Sequence, residues 1–431
     1  MAKKTETISL LTLGCSKNTV DSENMIGKLE SAGFSYISNT NKADNLIINT
    51  CGFIKPAKEE SLQVIVDALE LKKQGKIKNV IVTGCLAERY KDEISSQLDD
   101  IDFIIGLNST EKILHFLKPD LKKELTGERH LLTPKHFAYL KISEGCNHKC
   151  SFCAIPLIRG KYLSRSQEDL LEEATSLSKA GVKELNIIAQ DTTYYGVDLF
   201  GKSQLAKLLR NLSDLDKFEW IRLLYTYPLN FPTEVLDIIN ERKNICKYID
   251  IPLQHSSSAI LKAMKRKMNH EQTSDLIDLI REKISDVAIR STFIVGFPGE
   301  TEKDFQQLYD FILYKKLERV GIFTYSREED TKAFGLGDTI PEDVKQERRD
   351  ILMKAQMQIS LDKNKSLIGK QKKVIIDERI DKMSYSGRTE HDAPEVDNSV
   401  IIKSKTKIPL GSFQFVKITD ATEYDLIGQI I

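Results

Sequence analysis

Apolar runs that end in a cysteine recur through the first segment of this chain, and they restrict its fold more than any other feature. ISLLTLGC closes at Cys15, NLIINTC at Cys51 and NVIVTGC at Cys85; a fourth run, DFIIG, closes at Gly106. Amphipathic stretches such as Asp21 to Ala32 and Pro56 to Gln74 lie between them. Strands alternating with helices predict a parallel sheet covered on both faces. Consecutive apolar positions such as Val80 to Val82 suit a strand buried on both sides. In such a sheet the C-terminal ends of the strands share one edge. Three cysteines far apart in sequence are therefore expected to meet there, each near a helix N-terminus that favours a thiolate. The plainer alternative, three buried apolar cysteines, requires three equivalent placements by coincidence.

A polar stretch over 119–135, PDLKKELTGERHLLTPK, reads as a linker. From Phe137 the alternation resumes with six candidate strands: FAYLKIS, ELNIIAQ, WIRLLYTYP, YIDIPLQ, AIRSTFIVGF and RVGIFTYS. Six strand–helix repeats predict an open, partial (β/α) barrel with its site at the C-terminal strand ends, as in the complete eight-fold barrel. A charged helix is predicted from Pro341 to Asn364. Beyond Gly369, the short runs KKVIID, SVIIKS and FQFVKITD predict a small all-β barrel of about five strands. The expected fold is thus α/β with an appended all-β barrel, and the expected domains are 6–122, 132–364 and 366–431. A chain of 431 residues is too long for a single core.

Sixty-three basic residues balance sixty-three acidic ones. This argues against a broad electrostatic surface for nucleic acid. Neither a signal peptide nor a membrane-length apolar run is present, so the expected location is the cytoplasm, with no membrane partner. Thiols stay reduced there, and the seven cysteines read as ligands or packed residues before disulfides. Cys246 lies outside both trios and reads as a packed core cysteine.

The sharpest motif is Cys146-Asn147-His148-Lys149-Cys150-Ser151-Phe152-Cys153, just after a predicted strand. Thiolates suit iron–sulfur clusters, and three of them hold three irons of a four-iron cluster, leaving the fourth open. A structural zinc site wants a fourth protein ligand, and His148 is poorly placed to supply it. Gln190, Asp191, Arg222 and Gln254 sit at or near predicted strand ends; each can line the same cavity or serve as a satisfied structural group. Ile294 to Glu300 follows the fifth strand but lacks the Gly-Lys-Ser/Thr ending of a nucleotide P-loop. His255 and Trp220 read most simply as structural. A two-cluster electron carrier is an alternative of another class, although such carriers ligate each cluster with four cysteines.

The three-cysteine loop resembles the signature of the radical S-adenosylmethionine (SAM) superfamily. The resemblance implies that the open iron binds SAM, and that one electron from the reduced cluster breaks its sulfonium bond to give a 5′-deoxyadenosyl radical. It also makes Phe152 the aromatic beside the last ligand and Gly296 a point of close approach to SAM. With the first trio and the C-terminal barrel added, the chain resembles the methylthiotransferases end to end, with a TRAM-type barrel. That resemblance implies two 4Fe-4S clusters, one on Cys15, Cys51 and Cys85 and one on Cys146, Cys150 and Cys153. It further implies an electron donor such as flavodoxin or ferredoxin, and leaves the sulfur donor unknown.

Two branches of that family compete. RimO-type enzymes modify the β-carbon of an aspartate in a small-subunit ribosomal protein; MiaB-type enzymes modify an adenosine of transfer RNA. Leu13-Gly14-Cys15-Ser16-Lys17-Asn18 and the run from Gly387-Arg388-Thr389 to Asp397 resemble the RimO type. From Lys365 onward, nine lysines and two arginines face six aspartates and four glutamates, without the basic excess an RNA-binding barrel carries. The acidic segment Glu390 to Asp397 is expected either to attract a basic protein or to be an ordinary solvated loop.

Overall fold

The computed structural model describes residues 5–121 and 129–431. The chain divides into two compact units. One comprises the described residues up to Leu132 with Gly145–Asn147 and Ala154–Lys161; the other holds Thr133–Glu144, His148–Cys153 and Tyr162–Ile431. Of the expected linker, residues 122–128 lie outside the described residues, as does residue 122 of the first expected domain.

The first unit is a five-stranded, all-parallel sheet: β1 (Thr7–Thr12), β2 (Ser35–Tyr36), β3 (Asn45–Thr50), β4 (Asn79–Gly84) and β5 (Phe103–Ile104), in the order β2-β1-β3-β4-β5. Every residue of β3, the central strand, is buried. Helices α1 (Ser16–Ser31), α2 (Lys55–Lys73), α3 (Cys85–Gln97) and α4 (Thr110–Leu117) accompany the sheet. Ile8, Leu10, Ile26 and Leu29 form one apolar cluster and Leu46, Ile48, Val80 and Val82 another, so both sheet faces are covered. The short β2 is not among the runs read from sequence.

In the second unit, β6 (Phe137–Lys141) is followed by a small ribbon, β7 (Ser143–Glu144) with β8 (Leu163–Ser164). The remaining core strands are β9 (Glu184–Ile188), β10 (Trp220–Leu223), β11 (Tyr248–Asp250), β12 (Ala288–Val295) and β13 (Arg319–Thr324). Six parallel strands match the six candidate runs, but they form two three-stranded sheets, β6-β9-β10 and β11-β12-β13. Across the seam, the Ile221 N–H reaches the Asn244 carbonyl (2.7 Å) and the Thr226 N–H the Asp250 carbonyl (2.9 Å).

After the helix Glu342–Lys365, five strands close into a barrel in the order β14-β15-β16-β18-β17. They are β14 (Gln371–Arg379), β15 (Ser384–Thr389), β16 (Val400–Lys403), β17 (Phe413–Ala421) and β18 (Leu426–Ile430). Only β16 and β18 pair in parallel. Val374, Ile376, Val400, Ile402, Val416 and Ile418 fill its interior, as period-two alternation requires.

The barrel is locked to the core by buried charge. Glu184, fully buried, accepts from Arg222 Nε (2.9 Å) and from Arg388 Nη2 (2.7 Å). Arg388 also pairs with Asp377, and Arg222 donates to the Glu390 carbonyl (2.6 Å).

The two aspartates of the acidic segment are not solvated. Asp392 accepts from Arg319 (2.6 Å) and from the Thr389 hydroxyl (2.6 Å). Asp397 accepts from the Tyr248 hydroxyl (2.6 Å) and pairs with Arg290 (3.3 Å), and Glu395 accepts from Tyr139 (2.7 Å). Asp392 and Asp397 are spent inside the molecule, so these two aspartates latch barrel to core, while Glu395 stays exposed.

Candidate functional site

Within the first unit the sheet carries its three cysteines to one edge. Cys15 caps α1, Cys51 follows β3, and Cys85 opens α3 directly after β4. The register aligns Thr12 with Asn49 and Thr50 with Gly84, so the three strands end level. Gly14 (φ 91°) admits no side chain, because a Cβ there would lie 2.8 Å from Cys51 Sγ. Gly52 packs as closely on the backbone of Leu86, where a Cβ would lie 2.7 Å from its Cα.

A fully buried amide, Asn18, ties these ends together. Its Nδ2 donates to the carbonyls of Leu13 (2.8 Å) and Thr50 (3.1 Å), while its Oδ1 receives Arg159 Nη2 (2.5 Å) and the Cys85 thiol (3.6 Å). Burial pushes the Cys85 thiol up to about 12 and raises that of Cys51; the guanidinium of Arg159 opposes the shift at both. A metal that needs thiolates would remove this penalty, since coordination deprotonates the sulfur. Among the described residues no three His, Cys, Asp or Glu side chains could hold a single metal ion. Cluster ligands bind separate irons and so need not close on one point.

The three-cysteine loop is divided between the units, Cys146 with the first and Cys150 and Cys153 with the second. The loop's backbone is pinned at Ser151, whose N–H reaches the Met264 carbonyl (3.0 Å) and whose hydroxyl donates to the Ala263 carbonyl (2.8 Å). Around Cys150 stands a stack of flat groups. The His148 ring lies 3.6 Å from that of Tyr227 at 9°, and the Arg266 guanidinium lies 4.1 Å from the Tyr227 centroid. Tyr227 OH (3.8 Å) and Arg266 Nη1 (3.6 Å) both meet Cys150 Sγ. Burial, the largest influence, raises the Tyr227 hydroxyl, and it remains a neutral phenol.

The other residues singled out from sequence fall in different places. Asp191 is buried and its carboxylate holds His148 Nε2 (2.6 Å). Gln190 is half-buried just beyond β9. Gln254, beyond β11, takes left-handed backbone (φ 74°), as does Tyr225 beyond β10 (φ 57°). Such strain collects at functional edges. Phe152 packs with Ile260, Met264 and Phe297. Gly296 (φ 74°) donates its N–H to the buried Glu300 (2.9 Å), and a Cβ there would strike the stem of Lys345. Arg222 does not share this end. Its guanidinium turns to Glu184 at the start of β9 and to the barrel, away from the strand C-termini. His255 is fully buried, with its Nδ1 accepting from the Ser257 N–H and its Nε2 3.5 Å from Glu300. Cys246 is packed in the core, 1% exposed, and burial lifts its thiol to about 12. Asn18, Arg159, Tyr227 and Arg266 were not singled out for their chemistry; each acts through a partner distant in sequence.

Three family descriptions match the chain: "Uncharacterized protein family UPF0004" over residues 7–106, "Radical SAM superfamily" over 140–312 and "TRAM domain" over 368–431. A protein of Cytophaga hutchinsonii named "Ribosomal protein uS12 methylthiotransferase RimO" is 47% identical, over 98% of both chains. One of the same name from Chloroherpeton thalassium is 47% identical over 100% of both. Among solved structures, the radical SAM methyltransferase TsrM of Kitasatospora setae matches with a TM-score of 0.54 at 14% identity, covering 76% of this chain and 77% of that one. The cobalamin-dependent radical SAM enzyme OxsB matches at 0.53 and 13%, covering 83% and 58%. At such identities these two structures speak for the fold alone.

Proposed function

The chain belongs to the family of ribosomal protein uS12 methylthiotransferases, and from that premise we propose that it adds a methylthio group to the β-carbon of an aspartate in uS12. Full-length likeness to relatives of that name carries this reading. We assign a 4Fe-4S cluster to Cys146, Cys150 and Cys153 and a second to Cys15, Cys51 and Cys85. When bound and reduced, the first supplies the electron that cleaves SAM.

The residues around the loop orient that chemistry. Tyr227 and Arg266 present donors to the Cys150 sulfur, which steadies a ligating thiolate. Asp191 fixes the His148 ring, and the ring backs Tyr227. Gly296, Gln190, Gln254 and Phe152 belong to the SAM-lining set on this reading; Arg222 serves the barrel. Domains at 6–122, 132–364 and 366–431, a cytoplasmic location, and an electron donor such as flavodoxin or ferredoxin complete the proposal. No helix among the described residues is long and apolar enough to cross a membrane.

Metal content tests the two-cluster assignment. Anaerobically reconstituted protein is expected to bind about eight irons per chain, and replacement of Cys146, Cys150 and Cys153 by Ala to remove about half. A ceiling of about four irons in the unaltered chain would end it. The substrate is tested by mass spectrometry after incubation with SAM and reductant, offering uS12 or the small subunit beside transfer RNA. The expected product is methylthiolated uS12. A methylthio group on the RNA alone would overturn the assignment.

A further inference from the structure

The third cysteine of the central loop runs on into Ala154–Lys161, which packs within the first unit. Pro156 stands in the first turn of the short helix Ile155–Ile158, and Ala154 and Ile158 pack against Cys85 and Leu107. This segment ends by pointing Arg159 at the first trio. Its side chain is 1% exposed, and its Nη2 contacts Asn18 Oδ1 (2.5 Å), Asp21 Oδ2 (3.1 Å) and Cys85 Sγ (3.7 Å).

A buried guanidinium is costly unless opposite charge surrounds it. Asp21 supplies one such charge. Three thiolates with a cluster bound would supply more, within reach of the guanidinium that already meets Cys85 Sγ. Charge and N–H···S contacts near the sulfurs are the levers that set a cluster's reduction potential.

We propose that Arg159 is a positioning residue for the first trio: its guanidinium supplies the buried counter-charge and the N–H···S contact that retain the cluster of Cys15, Cys51 and Cys85 and raise its reduction potential. The inference rests on the two-cluster reading above. It also gives the central loop a second task, since the chain that carries Cys150 and Cys153 delivers the charge that serves the other trio.

The test uses full-length protein with Cys146, Cys150 and Cys153 replaced by Ala, reconstituted anaerobically, so that only the first trio is observed. Potentiometric titration followed by electron paramagnetic resonance gives the midpoint, and chelator challenge gives retention. Arg159→Gln is expected to move the midpoint to more negative potential and to weaken iron retention about tenfold. Arg159→Lys keeps the charge but loses the planar fork, and falls between. Asp21→Asn, which removes the opposing carboxylate, is expected to move the midpoint the other way. This second sign carries the test even where Arg159→Gln folds poorly by circular dichroism. Midpoints and retention unchanged in both Arg159→Gln and Asp21→Asn would overturn the inference. Failure of any cluster to assemble with Arg159 intact would instead sink the two-cluster reading, and the inference with it.

Discussion

Cys150→Ala is expected to reduce reductive SAM cleavage, read as 5′-deoxyadenosine, by more than about 100-fold, because even the outer partners of a metal ligand are worth 10–100-fold. The loss has two parts. A ligand disappears, and the donors aimed at it, Tyr227 OH and Arg266 Nη1, are left facing a methyl group. Cys51→Ala is expected to behave differently. Its sulfur belongs to the other trio, beside Gly14, while the Ser61 hydroxyl holds the Cys51 backbone N–H and carbonyl. The variant is expected to release 5′-deoxyadenosine without attaching a methylthio group to uS12. Loss of SAM cleavage in Cys51→Ala, with the central cluster intact by iron and absorbance, would show that the two trios do not divide the work this way.

The second large effect is on stability. Glu184→Ala is expected to cost about 3–5 kcal/mol, the range found when one partner of a buried ion pair is removed. Both Arg222 and Arg388 converge on this one carboxylate, and all three side chains are nearly inaccessible to solvent. Removing it takes the carboxylate partner from Arg222 and leaves Arg388 with Asp377. Asp214→Ala, which breaks the exposed pair with Arg242, is the control and is expected to cost about 1 kcal/mol or less. Urea unfolding of the two variants beside the parent measures both.

The acid limb gives a further check on the same residue. Burial pushes the Glu184 carboxyl up, but the two guanidiniums outweigh it and hold the group below the ordinary carboxylate range. A depressed folded-state value means that its stabilisation is complete above the unfolded value and is lost as pH falls through the folded one. The parent and Glu184→Gln are therefore expected to converge in stability only below the usual carboxylate range.

These particulars mark what a sequence shows and what it conceals. Cys15, Cys51 and Cys85 were legible because each closes an apolar run, and a parallel sheet turns that pattern into proximity. The six core strands were legible for the same reason. Strand β2 was not, since two residues at a sheet edge leave no periodicity to read. Nor was the seam between β10 and β11, because each strand reads alike whether it pairs or splays. Arg222 lies on a strand whose hydrophobic pattern fixes its face but not whether a long side chain reaches toward the strand's start or its end. The latch of Asp392 and Asp397 looked solvated because its neutralising partners, Arg290 and Arg319, lie far back along the chain. Charge counted along a segment says nothing about charge brought to it by folding.

The spread of the first trio over three strands bears on how the protein matures. Cys146, Cys150 and Cys153 sit within a single loop, so a nascent chain can present them to iron while little else has formed. Cys15, Cys51 and Cys85 have no such local option. They become neighbours only when β1, β3 and β4 have paired in register, and pairing across long intervening stretches is slow because loop closure must come before the contacts that reward it. If the first trio holds the cluster proposed for it, the sheet must stand without metal, on Ile8, Leu46, Ile47 and Val82, before it receives any. On the two-cluster proposal, a cell making this protein faces two loading events separated in time, and its iron-delivery machinery meets a folded host at the second.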